Sequence, residues 1–464
     1  MSQERASATP GRFLEAEAYR PPAVSDPVCG EAEAYLYGLI RPGQKYELET
    51  VRRLLALLGD PQRATRWLQI GGTNGKGSTA ATLAAILSAA GHRTGLFTSP
   101  HLVSLRERSR VDGEAMSREE LAALVPRLRD AILEMESRYG EPPSFFEALF
   151  ALSCLHLRER AVGVAVAEVG LGGRLDATTA LDPLVTVLTT VSEDHVATLG
   201  PTLADIAREK CGIAKPGVPF LSAVADPALV AVVDRHAGER GGAVHHLDRE
   251  VGVTEPEVTL SGTAFTLTLP GRAPRRLHTR LVGRHQARNA AHAAWAASWL
   301  PPDLAPPEEA VDAGLRAVQW PARFEPCGGS PFALWDAGHN PEGMDALVAT
   351  FREVLPGRRA TVLAGFSADK ELSEMLRALA TVTDSLVITR STHWRAADPA
   401  TVAQRWQELG LTPEVRAVAD PKEALQEARS RAGTDGLVLC TGSIYLLGEL
   451  SPLAPAAGLA APRV

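Results

Sequence analysis

The sequence predicts an α/β protein in two parts: a domain with a phosphate loop and a mostly parallel sheet, then a smaller α/β domain. Three observations carry this. The 464 residues exceed the roughly 250 to 300 over which one hydrophobic core keeps growing. Short β-branched or apolar runs alternate with Ala/Leu-rich stretches of helical length, the pattern of β-α units in a parallel sheet. A glycine-rich run, Gly71-Gly72-Thr73-Asn74-Gly75-Lys76-Gly77-Ser78-Thr79, joins an early strand to an Ala-rich helix.

In chain order, residues 1–30 mix Pro, Ala and charge without periodicity and read as a loose arm. The first domain spans residues 31–318, with strands over 67–70, 94–97, 162–169 and 184–191 and helices over 78–90 and 146–159. Pro301, Pro302, Pro306 and Pro307 cluster ahead of a helix over 308–318, which Trp320-Pro321 ends. That places a linker at 319–325. The second domain covers 326–450, with strands over 332–335, 361–365, 385–389 and 436–441, and an Ala/Pro-rich tail over 451–464 is expected to fray.

Composition excludes several classes. The net charge is −7 and there is no long Lys/Arg run, so no broad surface for nucleic acid or anionic membrane is expected. No apolar stretch approaches the roughly 18 residues of a membrane span, and the first residues lack an apolar signal core. A cytoplasmic protein is the expectation. The five cysteines, Cys29, Cys154, Cys211, Cys327 and Cys440, are scattered without a C-x-x-C pair, which disfavours a disulfide framework and a structural zinc.

The glycine-rich run reads as a phosphate loop. Its glycines let backbone N–H groups approach a polyphosphate, the helix N-terminus adds positive potential, and Lys76 supplies a point charge. It departs from G-x-x-x-x-G-K-[ST], since Ile70 stands where the first glycine would be and Gly77 separates Lys76 from the hydroxyl residue. Other candidates lie at strand ends, where open α/β sheets bind ligands. Glu168 closes one apolar strand, Ser99 follows another, and His195 follows a third. On residue type alone these remain open: Ser99 is equally a turn serine, His195 a structural histidine, Lys210 a surface-helix lysine and Arg323 a surface cation. Phe145 and Phe146 suit a ring-binding wall or core packing alike.

The G-T-N-G-K-G-S form resembles the folylpolyglutamate synthase and dihydrofolate synthase family, within the Mur-type ligases. The resemblance recurs in Thr98-Ser99-Pro100-His101, Arg106-Glu107-Arg108, Phe145-Phe146-Glu147, Glu168 to Ala177, Asp194-His195 and Arg208-Glu209-Lys210. It continues through His285-Gln286, Asn289, Trp320 with Arg323-Phe324-Glu325, Asp336 with His339-Asn340-Pro341, and Thr441-Gly442-Ser443. It implies a Mur central-domain-like sheet followed by a Rossmann-like C-terminal sheet. It also implies an ATP-dependent ligase that adds L-glutamate to folates, and to dihydropteroate, through an acyl phosphate. ATP would be held by Thr73, Asn74, Gly75, Lys76, Gly77, Ser78, Asn289, Arg323 and Asp336. The resemblance gives Ser99, Glu168 and His195 as magnesium ligands and a carbamylated Lys210 as ligand to a second magnesium. Ser144, Phe145, Phe146, Glu147, Leu175, Asp176 and Ala177 would hold the acceptor, His339 would face the reacting end of ATP, and Lys76, Lys210 and His339 form the catalytic set. A monomer is implied.

Three segments depart from the family pattern. Thr179 replaces an asparagine, Asp336-Ala337-Gly338 replaces D-G-A, and Lys45 to Thr50 lacks the Gly and Arg of G-L-E-R. The first and last bear on the choice of acceptor. Two other readings remain: a Mur-type ligase acting on a UDP-sugar peptide, for which the ~70 residues before the phosphate loop are few, and a non-catalytic nucleotide-binding protein.

Overall fold

The computed structural model describes residues 26–40 and 47–453. The expected arm up to residue 25, Lys45-Tyr46 and the tail from residue 454 lie outside the described residues. The larger sheet holds β1 Arg66–Gly71, β2 Thr94–Phe97, β3 Ser109–Val111, β4 Glu114–Ala115, β5 Val164–Glu168, β6 Pro183–Leu188, β7 Pro219–Ser222 and β8 Ala243–His246. Their spatial order is β4-β3-β2-β5-β1-β6-β7-β8. All neighbours are parallel except the β2–β3 and β3–β4 pairs at one edge.

The order matters because β1 lies between β5 and β6, with Ile70 opposite Glu168 and Gly71 opposite Leu188. The segments that follow these three strands therefore emerge side by side at the carboxyl edge of the sheet. Alternation sorts the side chains: Leu68, Ile70, Val164 and Val166 enter one core, while Trp67, Ala165 and Ala167 enter the core on the other face. The helix Lys76–Ala89 is buried on nearly every side. Its alanines allow the helices Arg284–Ser298 and Glu308–Ala317 to approach closely, and all three share one core.

Three further strands, β9 Gly252–Thr259, β10 Gly262–Thr268 and β11 Arg275–Thr279, form an antiparallel sheet in the order β11-β10-β9. The last sheet holds β12 Glu325–Gly328, β13 Phe332–Asp336, β14 Ala360–Ala364, β15 Thr383–Ile388, β16 Val415–Ala417 and β17 Leu437–Thr441, ordered β12-β13-β17-β14-β15-β16. It is parallel apart from β12. Every predicted strand lies on an observed one, with ends that coincide or differ by up to three residues.

The structure adds what periodicity left unmarked: the three-stranded sheet, and the 22-residue helix Arg118–Tyr139 with its Ser117/Glu120 capping box. The phosphate-loop helix starts at Lys76, two residues ahead of the expected start, because Gly75 takes a left-handed φ of 82° as its N-cap. Among the described residues no helix is long and apolar enough to cross a membrane.

Gly314 marks a close helix approach, since a Cβ there would lie 2.5 Å from the Ile86 Cα. Gly314→Ala should lower stability by about 1 to 3 kcal/mol, the cost of overpacking a rigid contact. Denaturant unfolding of the purified variant measures it; a midpoint equal to that of the parent would show that the two helices separate freely.

Candidate active site

The phosphate loop runs from the end of β1 into the helix Lys76–Ala89 and is held from outside. Thr73 N–H donates to the Thr190 carbonyl at 2.8 Å, and Asn74 N–H to the Thr190 hydroxyl at 3.0 Å. A side chain at Gly75 would collide with Asn289 at 2.6 Å, and one at Gly77 with the Trp320 indole at 2.9 Å. Asn289 and Trp320 thus lie directly against the loop. Lys76 Nζ folds back to the Thr73 carbonyl at 3.0 Å, a contact a phosphate oxygen can replace.

Lys210 ends the helix Leu203–Lys210 and is buried. Its Nζ donates to the Gly72 carbonyl at 2.8 Å, so it sits beneath the same loop. Burial, reinforced by the nearby Lys76 charge, pulls its pKa down to about 7 although Asp194 and Asp176 oppose the shift. Glu168, the last residue of β5, is also buried, and its Oε2 accepts from Ser99 N–H at 3.0 Å. Burial raises its pKa, while Lys76, the Ser99 hydrogen bond and Arg323 act the other way.

His195 begins a one-turn helix, Val196–Leu199, in the left-handed region at φ 51°. Burial holds its imidazole near pKa 4 against the pull of Asp194, so it is a neutral ring with one nitrogen lone pair available. Asp194 itself pairs with Lys370 from the second sheet system, and His339 Nε2 lies 4.0 Å away. Burial opposes ionisation of Asp194, but His195 and Lys370 hold its pKa well below the usual range.

The second sheet presents its own carboxyl edge to this one. Asn340 and Asn74 exchange amide hydrogen bonds at 3.0 and 3.3 Å, and Glu342 Oε2 accepts from Asn74 at 2.5 Å and Ser192 at 2.7 Å. Between the two edges lies a cleft of about 730 Å³. Phe146, Asp176 and His195 line one wall, Lys370, Arg395 and Tyr445 the other, and Arg323 and His339 lie at the junction.

Comparison with known proteins follows this division. Residues 70–297 match the Mur ligase middle domain, and residues 322–444 the Mur ligase glutamate ligase domain. A Bacillus subtilis protein named dihydrofolate synthase/folylpolyglutamate synthase is 32% identical over 427 residues, 90% of this chain and 97% of that one. The chain belongs to the folylpolyglutamate synthase/dihydrofolate synthase family of Mur ligases. A Haloferax volcanii relative, named a probable bifunctional folylpolyglutamate synthase/dihydropteroate synthase, is 37% identical over 430 residues. This chain spans 50% of that relative's length, and the match covers 90% of this chain. The solved Mycobacterium tuberculosis folylpolyglutamate synthase complexed with ADP superposes with a TM-score of 0.84 at 30% identity, covering 91% of this chain and 97% of that one.

The structure gathers most of the residues that the family resemblance pointed to, and it shows what else they do. Ser99, Ser144, Phe146, Glu147, Leu175, Asp176, Ala177, His195, Arg323 and His339 all line the cleft. Phe145 does not; it stacks on Tyr37 at 5.6 Å. Ser144 and Glu147 form a capping box on the helix Phe145–Glu159. Asp176 accepts from the N–H groups of Gly170, Leu171 and Thr178 at 2.9 to 3.0 Å and from the Thr178 hydroxyl at 2.5 Å, so it braces the glycine-rich turn.

The expected magnesium donors divide: Ser99 meets Glu168, His195 stays with Asp194, and Lys210 bonds Gly72. Among the described residues no three His, Cys, Asp or Glu side chains converge as a ready metal cluster. Lys370, Arg395 and Tyr445 went unmarked in the sequence. Their only signal was position, on segments that follow β14, β15 and β17.

Asp336 closes β13, and its two oxygens accept from Phe324 N–H at 2.8 Å and Gly338 N–H at 2.7 Å. It thereby fixes Arg323, which stands between Ala322 and Phe324, both at positive φ. Asp336→Ala should cost about 1 to 3 kcal/mol by leaving the Phe324 and Gly338 donors unpaired. Thermal unfolding of the purified variant measures it; an unchanged melting temperature would show that both N–H groups find other partners.

Proposed function

We propose that this chain is an ATP-dependent amide ligase that adds L-glutamate to a folate, and to dihydropteroate. The observation that carries the reading is the near-neutral buried amine of Lys210 beneath a phosphate loop, at the base of a cleft shared by both sheets. An acceptor carboxylate oxygen attacks the γ-phosphorus of ATP, the bond to the bridging oxygen breaks, and ADP leaves. The lone pair of the glutamate amine then attacks the acyl carbon. Phosphate departs, the nitrogen loses a proton, and an amide remains.

Each residue has a task in this sequence. The backbone N–H groups of Thr73 to Ser78 and the Lys76 ammonium receive the phosphates, and Arg323 adds a second cation. Asn289, pressed against Gly75, borders the nucleoside end, and Asp336 keeps Arg323 in place. His339, bonded through Nδ1 to the Ala337 carbonyl, presents Nε2 toward Asp194 at the reacting end. Phe146, Leu175 and Ala177 give the acceptor rings an apolar wall.

The donor chemistry fits a hard cation. Glu168 is buried without a carboxylate-pairing Lys or Arg among its hydrogen bonds, His195 is neutral, and Ser99 carries a hydroxyl. Magnesium, when bound by Ser99, Glu168 and His195, with a second ion at a carbamylated Lys210, would neutralise charge on the transferring phosphoryl group. The enzyme acts as a monomer in the cytoplasm, a placement supported by five free cysteines.

The decisive experiment compares glutamate-dependent ADP release with dihydropteroate, a reduced folate and a UDP-sugar peptide. Turnover with a pterin acceptor is expected. Lys76→Ala should reduce it at least about 10²-fold, as loss of one transition-state donor does, with an unchanged melting temperature. Turnover with the UDP-sugar peptide alone would reassign the acceptor, and a fully active Lys76→Ala would remove the phosphate-loop assignment.

Carbamate formation joins a neutral amine to carbon dioxide and releases a proton. With Lys210 held near pKa 7, the reactive amine is plentiful above that pH and becomes scarce as pH falls below it. Activity should therefore drop when bicarbonate is stripped at mildly acidic pH and return on its addition. Lys210→Ala should be nearly inactive and regain turnover with acetate or formate. Full activity of Lys210→Ala without rescue is the result that rules this role out.

A further inference from the structure

Thr179, where the sequence departs from the family pattern, supports the cleft wall without being part of it. It is buried, and the residues that line the cleft in this stretch are Gly170 to Ala177. Its hydroxyl donates to the Gly173 carbonyl at 2.7 Å, and the Thr178 hydroxyl donates to Asp176 Oδ1 at 2.5 Å. A hydroxyl has one proton, so both protons are spent. Gln69, 2.9 Å from the Thr178 hydroxyl and 3.2 Å from that of Thr179, therefore meets two sets of lone pairs and donates to both through Nε2. Turning the amide over would set its oxygen against those lone pairs. The threonines thus fix Gln69 in place, although its Oε1 is left buried with no donor among the described residues.

The network matters because of what it joins. Gln69 belongs to β1 and stands just before Ile70 and Gly71, where the phosphate loop begins. The turn that it reaches is also held by the helix Leu203–Lys210. A Cβ at Gly173 would lie 2.7 Å from the Lys210 carbonyl and 2.8 Å from the Glu209 carbonyl, and Arg174 N–H donates to the Glu209 carbonyl at 2.9 Å. Lys210 in turn holds the Gly72 carbonyl through Nζ. The turn is therefore referred to the phosphate loop twice, through Gln69 along β1 and through the end of the Lys210 helix. Gly173 is where the two paths meet.

Resting on the folate ligase reading, we propose that Thr179 is a positioning residue for the acceptor: with Gln69 it keeps the cleft wall 170–177 in register with the phosphate loop. The acceptor carboxylate has to approach the γ-phosphorus within bonding reach, and a misplacement of ~1 Å costs roughly 10²-fold in rate. A nucleotide on the phosphate loop does not lean on that wall. An acceptor lying against Leu175 and Ala177 does. Loss of the Thr179 hydroxyl accordingly acts on the acceptor and spares the nucleotide.

The test is steady-state kinetics of the full-length enzyme with whichever of dihydropteroate and a reduced folate the parent turns over. Thr179→Val keeps the shape of the side chain and removes its hydroxyl. The Gly173 carbonyl retains the Asp176 N–H at 3.1 Å and Gln69 retains Thr178, so the variant is expected to fold. Its kcat/KM for the acceptor should fall about five- to tenfold, the effect of one hydrogen bond, while the KM for ATP stays within about twofold of the parent's. Thr179→Ser, which keeps the hydroxyl, should retain most of the acceptor kcat/KM. Gln69→Leu, which removes the unpaired carbonyl together with the amide, should show the same acceptor-selective loss, and the double variant should be little worse than either single one, as expected of two residues in one network. Parent-like acceptor kinetics in Thr179→Val, equal losses for ATP and acceptor, a Thr179→Ser as impaired as Thr179→Val, or fully additive losses would overturn the positioning role and leave the ligase reading intact. A parent enzyme that uses neither pterin acceptor overturns both.

Discussion

The site depends on how closely three segments pack around one loop. Gly75 can meet Asn289, and Gly77 the Trp320 indole, only because neither glycine carries a Cβ. Thr190 holds Thr73 and Asn74 from the strand end beside them. The strand β6 side, the helix Arg284–Ser298 and the segment leading to the second sheet therefore share a single reference point. A side chain large enough to loosen any one of these contacts moves the others with it, because protein interiors are close-packed and transmit strain. The same glycines leave the loop amides open to an anion.

Electrostatics follow from that packing. Lys76 and Lys210 lie near enough for the charge of one to lower the pKa of the other, and both lie under or beside the loop. Two like charges in a buried place are unfavourable, and an anion bound at the loop would relieve the conflict. Glu168 presents the reverse case, a buried acid whose ionised form is favoured by Lys76, Arg323 and Arg108 at a distance. Without ligands the groups satisfy themselves locally: Lys76 on Thr73, Lys210 on Gly72, and Glu168 on Ser99. These single contacts are weak compared with what a polyphosphate and a divalent cation offer. The site is thus organised for ligands of opposite charge that arrive together.

Much of this was legible in the sequence because it sits at strand ends. The phosphate loop, Glu168, Ser99 and Asp336 each follow or end an apolar run whose type and length identify a strand. Arg395, Lys370 and Tyr445 were not legible. Their strands are equally clear, but nothing in a Ser-Thr-His-Trp-Arg or Ala-Asp-Lys run distinguishes a cleft wall from a surface loop. Only the order of β13, β17, β14 and β15 places them together. The three-stranded sheet β9 to β11 was missed for a related reason: its outer strand reads Gly-Val-Thr-Glu-Pro-Glu-Val-Thr, with no apolar run and a proline inside it, a composition that polar loops share. Dual duties were hidden as well. Ser144 with Glu147, and Asp176, serve as caps or braces within the cleft wall, so their residue types alone could not separate support from binding.

The two sheets contribute different things to the reaction. The first supplies the rigid phosphate loop, and the second brings residues on segments that must meet it across a cleft. Asn340 and Glu342 bond Asn74, and Lys370 pairs with Asp194; these polar contacts are few and can exchange partners. Interfaces of that kind permit relative motion between the parts they join. The proposed ligase reaction would require such motion, since the cleft would have to open for its substrates and then exclude water until the amine attacks the acyl phosphate. A hydrophobic seam would fix one state. Hydrogen-bonding and ionic contacts can break and re-form at smaller cost, while the buried loop beneath stays fixed by its own packing.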